Sequence, residues 1–153
     1  MIRVIGLGSE MARDDGAALE AARRLSSDVD VEVLLAGRPG AGLLDLFDAR
    51  RPTVLLDVVR TGAPPGAIVE LPLAELTHAT IDGKPLSSHG LGVAQSLRLA
   101  EALGRELPIG IFLGIGGARF DPGDALTPEV EARVDDLVAA ARGAIAALRG
   151  HDA

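Results

Sequence analysis

The sequence predicts a single α/β domain in which a mostly parallel sheet is sandwiched between helices. Short β-branched apolar runs occur at residues 2–8, 29–35, 53–59 and 109–115, the length and pattern of buried strands. Helical stretches at 17–25, 90–103 and 127–148 alternate with them. The run Thr53-Val54-Leu55-Leu56-Asp57-Val58-Val59 is nearly continuously apolar, as expected of a central strand covered on both faces. Strands alternating with helices build such a layered sheet, and its binding crevice lies outside the carboxyl ends of the strands.

The elements follow in order. Ile2-Arg3-Val4-Ile5-Gly6-Leu7-Gly8 is stopped by glycine and reads as the first strand. A turn through Ser9 and Met11 leads to Asp14-Asp15-Gly16. Behind it, Ala18, Ala21, Ala22 and Leu25 fall on one face of a helix over 17–25. Residues 29–35 alternate as a second strand, 37–42 form a glycine-rich loop, and 43–49 a short helix with Leu43, Leu44 and Phe47 at helical spacing. Pro52 closes that unit before the strand at 53–59. Gly62, Pro64, Pro65 and Gly66 mark a turn-rich loop into a strand at 67–71. Residues 72–88 show no long periodicity and read as an extended surface connection, a kind of loop that is often functional. Residues 90–103 are helical, with Leu91, Ala94, Leu97 and Leu99 apolar. After the strand at 109–115 and a loop at 116–126, Thr127-Pro128-Glu129 reads as an N-cap, a first-position proline and a first-turn acid. They open an Ala-rich helix to about 148. There are no internal repeats and no linker, so residues 1–150 form one domain and 151–153 a fraying tail.

Composition narrows the chemistry. The 153 residues are 48% hydrophobic and 24% charged, which excludes intrinsic disorder. Fifteen basic against 22 acidic residues give 15 − 22 = −7, so the basic footprint for nucleic acid or anionic lipid is missing. Metal ions and cationic partners suit the chain better. With no cysteine there are no disulfides, thiolate nucleophiles or sulfur-ligated metals. With no Trp or Tyr there are no stacking platforms of the usual kind. No apolar stretch reaches the roughly 18 residues of a membrane helix. Met1 runs straight into a strand without a signal-like region. A cytoplasmic monomer is expected.

Gly6-Leu7-Gly8 invites a dinucleotide-binding reading, but the third glycine of that pattern would fall on Met11. The acids Asp14 and Asp15 would also repel a pyrophosphate at the helix start. A second constellation is more informative: Asp15 after the first strand, Asp57 at the end of the central strand, and His89 where the long loop meets its helix. A carboxylate within the apolar run 53–59 should meet a cation, a metal or a donor, because burying it alone costs several kcal/mol. Two carboxylates and an imidazole with open positions suit a divalent transition metal. If Ser87 caps the following helix, His89 lies in its first turn, where the dipole favours the neutral ring that a metal requires. Each residue also has a plainer reading: Asp15 as a helix-start acid, Asp57 paired with Arg60 or capping a turn, His89 as a local hydrogen-bonding residue. His78 and His151 lie in the long loop and the tail.

These residues and their surroundings resemble the hydrogenase maturation protease family, endopeptidases that remove a C-terminal extension from the large subunit of nickel–iron hydrogenases. The resemblance runs almost the full length. It rests on Gly6-Leu7-Gly8-Ser9 through Asp14-Asp15-Gly16, on Leu56-Asp57-Val58-Val59 with Gly62 and Pro65-Gly66 behind it, and on Ser88-His89-Gly90-Leu91. Gly114-Ile115 and Leu126-Thr127-Pro128-Glu129-Val130 complete it. It implies that Asp15, Asp57 and His89 are both the catalytic and the metal-binding residues. It also implies that nickel arrives already inserted in the precursor, and that the protein substrate is that large-subunit precursor. The chain departs from the family in two places. Ser9 stands for the usual Asn, and Leu35-Ala36-Gly37-Arg38-Pro39-Gly40 stands for Asp-Gly-Gly-Thr-Pro-Gly. An acid near the crevice is lost and a cation gained, which admits a diverged paralogue with another substrate.

The expected function is therefore metal-dependent peptide-bond hydrolysis, in which the ion polarises the scissile carbonyl or acidifies a water. Another class of function uses the same ligands: a non-catalytic metallochaperone or checkpoint that binds the metallated subunit without cutting it.

Overall fold

The computed structural model describes residues 1–60, 63–78, 80–81, 84–85 and 92–150. β1 (Ile2–Leu7) leads through a 3-10 turn, Arg13–Gly16, into α1 (Ala17–Arg24) and then β2 (Val31–Gly37). A second 3-10 segment, Gly40–Leu46, precedes β3 (Thr53–Val59) and β4 (Ile68–Pro72). A third, Leu73–His78, is followed by the two-residue strands β5 (Thr80–Ile81) and β6 (Lys84–Pro85). α2 (Val93–Ala102), β7 (Gly110–Gly116), α3 (Pro128–Glu131) and α4 (Val134–Arg149) complete the chain.

Five strands form one sheet in the order β2-β1-β3-β7-β4. The first four are mutually parallel, and β4 runs antiparallel along β7. The chain steps from β1 outward to β2 and then back across β1 to β3. The strand order therefore reverses between β1 and β3, and a crevice opens at such a switch point.

Side chains alternate across each strand, and two cores result. Val4, Val54, Leu56, Val58, Leu113 and Ile115 pack under α1 and α4, against Ala18, Ala22, Leu137 and Ile145. On the other face Ile5, Leu7, Leu55, Val59 and Phe112 meet Val93 and Leu97 of α2, with Leu43, Leu73 and Leu76 from the 3-10 segments. Each buried Leu, Ile or Val contributes about 1.5–3 kcal/mol of transfer free energy. The small residues of α1 let it lie close to β1, where a Cβ at Gly6 would stand only 2.8 Å from that of Ala22. By alternation Asp57 belongs to the Leu55 and Val59 face, the side covered by α2.

Most expected elements are present, and the central strand has the expected bounds. Three differ. Residues 72–88 are not simply extended: the 3-10 segment Leu73–His78 buries Leu73 and Leu76 in the second core, and a short hairpin of β5 and β6 follows. The C-terminal helix is interrupted between α3 and α4, where the backbone of Gly66 packs against Glu129 and Arg133. α2 starts at Val93 behind an extended Gly92, whose N–H donates to Gln95 at 3.2 Å, not at Gly90 under a Ser87 cap. No described helix is long and apolar enough to cross a membrane. The expected tail at 151–153 lies outside the described residues, as do Gly62, Ser87, Ser88, Gly90 and Leu91.

Candidate functional site

The two ends of the sheet differ in chemistry. At the amino end, Arg3 of β1 donates to the Leu46 carbonyl at 2.8 Å and pairs with Glu32 of β2, which Arg51 also meets at 2.6 Å. These groups satisfy one another. At the carboxyl end, the loop after β1 brings two adjacent acids to the switch point and gives them different tasks.

Asp14 is fully buried. Its Oδ1 accepts the Thr127 N–H at 2.7 Å, and its Oδ2 accepts the N–H groups of Ala118 and Arg119 at 2.8 and 2.9 Å. The Thr127 hydroxyl reaches both oxygens. Burial pushes this carboxyl upward, but the donors from Thr127, Arg119 and Ala118 outweigh it and hold the group below the usual carboxylate range. The backbone joins in: Asp14 N–H donates to the Arg119 carbonyl at 3.0 Å, and Arg13, at a left-handed φ of 48°, donates to Gly123 at 2.9 Å. Asp14 thus staples the loop after β1 to the loop after β7. Thr127 does hold the expected N-cap position, with extended φ/ψ, but makes no side-chain cap bond because its hydroxyl is committed to Asp14. Sequence reasoning passed over Asp14. The available signal was the doubled acid, since one helix start seldom needs two.

Asp15, next in the chain, turns the other way. It is 2% exposed. Its Oδ2 accepts the Ser9 N–H at 2.7 Å, and the Nε and Nη2 of Arg38 donate to the same oxygen at 2.9 and 2.7 Å. Gly8 makes this fold possible. Its φ is +128°, and a Cβ there would collide with the Asp15 carbonyl oxygen. Ser9 serves Asp15 through its backbone, so the exchange of Asn for Ser leaves that contact intact. Arg38, the cation gained after β2, forms an ion pair with Asp15. Leu35, at the lost acid, is half-exposed on the edge strand.

Asp57 is 4% exposed and the fifth residue of β3, with Gly114 of β7 opposite it. Its Oδ1 accepts the N–H of Val58 at 2.8 Å. The 3-10 turn that carries Asp15 packs against β3, so the two acids flank one switch point from adjoining elements. Asp15 is therefore part of a 3-10 turn under an arginine and not simply a helix-start acid. Arg60, just past the end of β3, stacks its guanidinium over Phe120 at 4.4 Å. His89 lies outside the described residues. Because α2 begins at Val93, the helix-dipole argument for a neutral His89 falls away. Among the described residues no group of three or more His, Asp or Glu side chains could hold a metal ion. The two carboxylates are oxygen donors of the right chemistry for a divalent ion, and a third ligand must come from elsewhere.

Comparison with known proteins gives a consistent result. The family model described as "HycI: Hydrogenase maturation protease" matches residues 17–144. The [NiFe] hydrogenase maturation protease HybD from Thermococcus kodakarensis has a similar structure, with a TM-score of 0.72 and 27% identity over 93% of this chain and 97% of that one. The hydrogenase maturating endopeptidase HybD from E. coli gives 0.75 and 25%, over 98% and 93%. The solution structure of an endopeptidase from Escherichia coli gives 0.74 and 26%, over 99% and 94%. No curated protein matches the sequence.

Proposed function

The chain belongs to the hydrogenase maturation protease family, and from that premise we propose that it is a cytoplasmic, monomeric endopeptidase that trims the C-terminal extension from a nickel-loaded hydrogenase large-subunit precursor. The observation that carries this reading is the pair of buried carboxylates, Asp15 and Asp57, on two elements that flank the same switch point. Both are oxygen donors of the chemistry that a divalent metal centre arriving with the substrate would meet. Asp15 and Asp57 would orient the metal-bearing end of the precursor, with His89 as the third ligand. The nickel ion is cargo of the substrate and supplies Lewis acidity at the scissile carbonyl. The protein's own part is to align that peptide bond and to exclude competing geometries.

The test is direct. Nickel-loaded precursor is incubated with wild type, Asp57→Asn and His89→Ala, and its length is read on a denaturing gel. Wild type shortens the precursor, whereas the folded variants leave it at full length. Undiminished cleavage by both variants would sink the proposal. A non-catalytic checkpoint is the second reading, favoured by the guanidinium that engages Asp15. An intact precursor tail by mass spectrometry, after incubation with wild type that binds it, selects that reading.

A further inference from the structure

Arg38 brings a charge that opposes a cation to Asp15, and its geometry is specific. Both of its bonds converge on a single oxygen, Asp15 Oδ2, which also takes the Ser9 N–H. Three donors exceed the two lone pairs of a carboxylate oxygen, so that atom has no capacity left for a metal ion. The donors differ in how easily they leave. Ser9 donates from the backbone and is fixed by the loop. Arg38 donates from the end of a long side chain that is 44% exposed, on the first residue after β2 and directly behind Gly37 at a φ of +64°. Among the described residues Asp15 is its only hydrogen-bond partner. A guanidinium cannot escape by losing its proton, so Oδ2 of Asp15 is released to a metal ion only when Arg38 moves.

We propose that Arg38 is a tethered counter-cation on Asp15 that a divalent metal ion must displace, which makes it the residue that sets this chain's preference for metal presented by a substrate over free metal. Free ion competes with a cation held at effectively high local concentration. A metal anchored in a docked precursor is itself tethered, and competes on equal terms. The proposal rests on the reading of Asp15 as the acid that faces the metal.

The experiment is titration of the purified protein with nickel chloride by calorimetry, with thermal melts to confirm that each variant is folded. Wild type, Arg38→Thr, Arg38→Gln, Asp15→Asn and the double variant Arg38→Thr/Asp15→Asn are compared. Removing a like charge from beside a ligand should tighten binding at least about tenfold, so both Arg38 variants bind free nickel more tightly than wild type. The double variant loses that gain. If both Arg38 variants bind no more tightly than wild type, or none of the proteins binds, the displacement proposal is overturned. Should Asp15→Asn still weaken wild-type binding in the former case, Asp15 keeps its metal-facing role and only the displacement fails. Should the gain persist in the double variant, Asp15 is not the contested ligand, and that role falls as well.

Discussion

Replacing Asp14 by Asn removes one charge and almost no volume, so it isolates the staple between the two loops. In either orientation the amide presents its NH2 to at least one main-chain N–H: those of Ala118 and Arg119 if it replaces Oδ2, that of Thr127 if it replaces Oδ1. A hydrogen bond to an ionised group is worth about 1.5–3 kcal/mol, and a buried donor left unsatisfied costs about 1–3. Relief of the charge's own burial cost offsets part of this, which leaves a net loss of about 2–4 kcal/mol. Against a total stability of roughly 5–15 kcal/mol that is a large share, and urea denaturation at pH 7 measures it. The pH dependence supplies a second reading. The folded carboxyl lies below its ordinary value, so its contribution is complete above the unfolded-state value of about 3.9 and is lost as pH falls through the folded one. The gap between wild type and Asp14→Asn should therefore narrow below about pH 4. A variant within about 0.5 kcal/mol of wild type, or a gap that stays constant into acid, refutes the role assigned to the staple.

Two further outcomes follow from the same loops. Thr127→Val should cost about 1–2 kcal/mol by thermal or urea unfolding, and Thr127→Ser should restore most of it, because the hydroxyl serves Asp14 and the methyl does not. Gly8→Ala should lower stability by more than about 1 kcal/mol, and it should cut precursor cleavage more than a distant change of equal ΔΔG, because it pushes directly on the turn that carries Asp15.

The five strands of the main sheet were legible because each is an apolar run bounded by breakers, and β3 matched to the residue. The irregular parts were not. A 3-10 segment of six residues such as Leu73–His78 is too short for periodicity to register, although Leu73 and Leu76 are core residues. The break between α3 and α4 falls where Gly66 approaches, and it is a contact over some 60 residues that no local pattern carries. The start of α2 was placed too early because Gly90 and Leu91 fit an apolar period, whereas the extended Gly92 closes the helix off. Asp15 and Asp57 stood out as strand-end acids. Their partners did not: Arg38 was visible as a departure from the family pattern, but its bond to Asp15 depends on how β1 and β2 lie side by side. Asp14 was hidden by its neighbour, since two adjacent acids look alike until each one's surroundings are known.

The distance along the chain between Asp14 and its partners also governs the order in which the protein can assemble. Ala118, Arg119 and Thr127 are 104, 105 and 113 residues downstream. A ribosome adding about 5–20 residues per second takes on the order of ten seconds to make that stretch. Throughout this time Asp14 stays hydrated, because burying it without its donors is unfavourable. β3 likewise lacks β7, its neighbour in the sheet. β1, α1 and the turn between them are thus locked late, only after the loop behind β7 has been made.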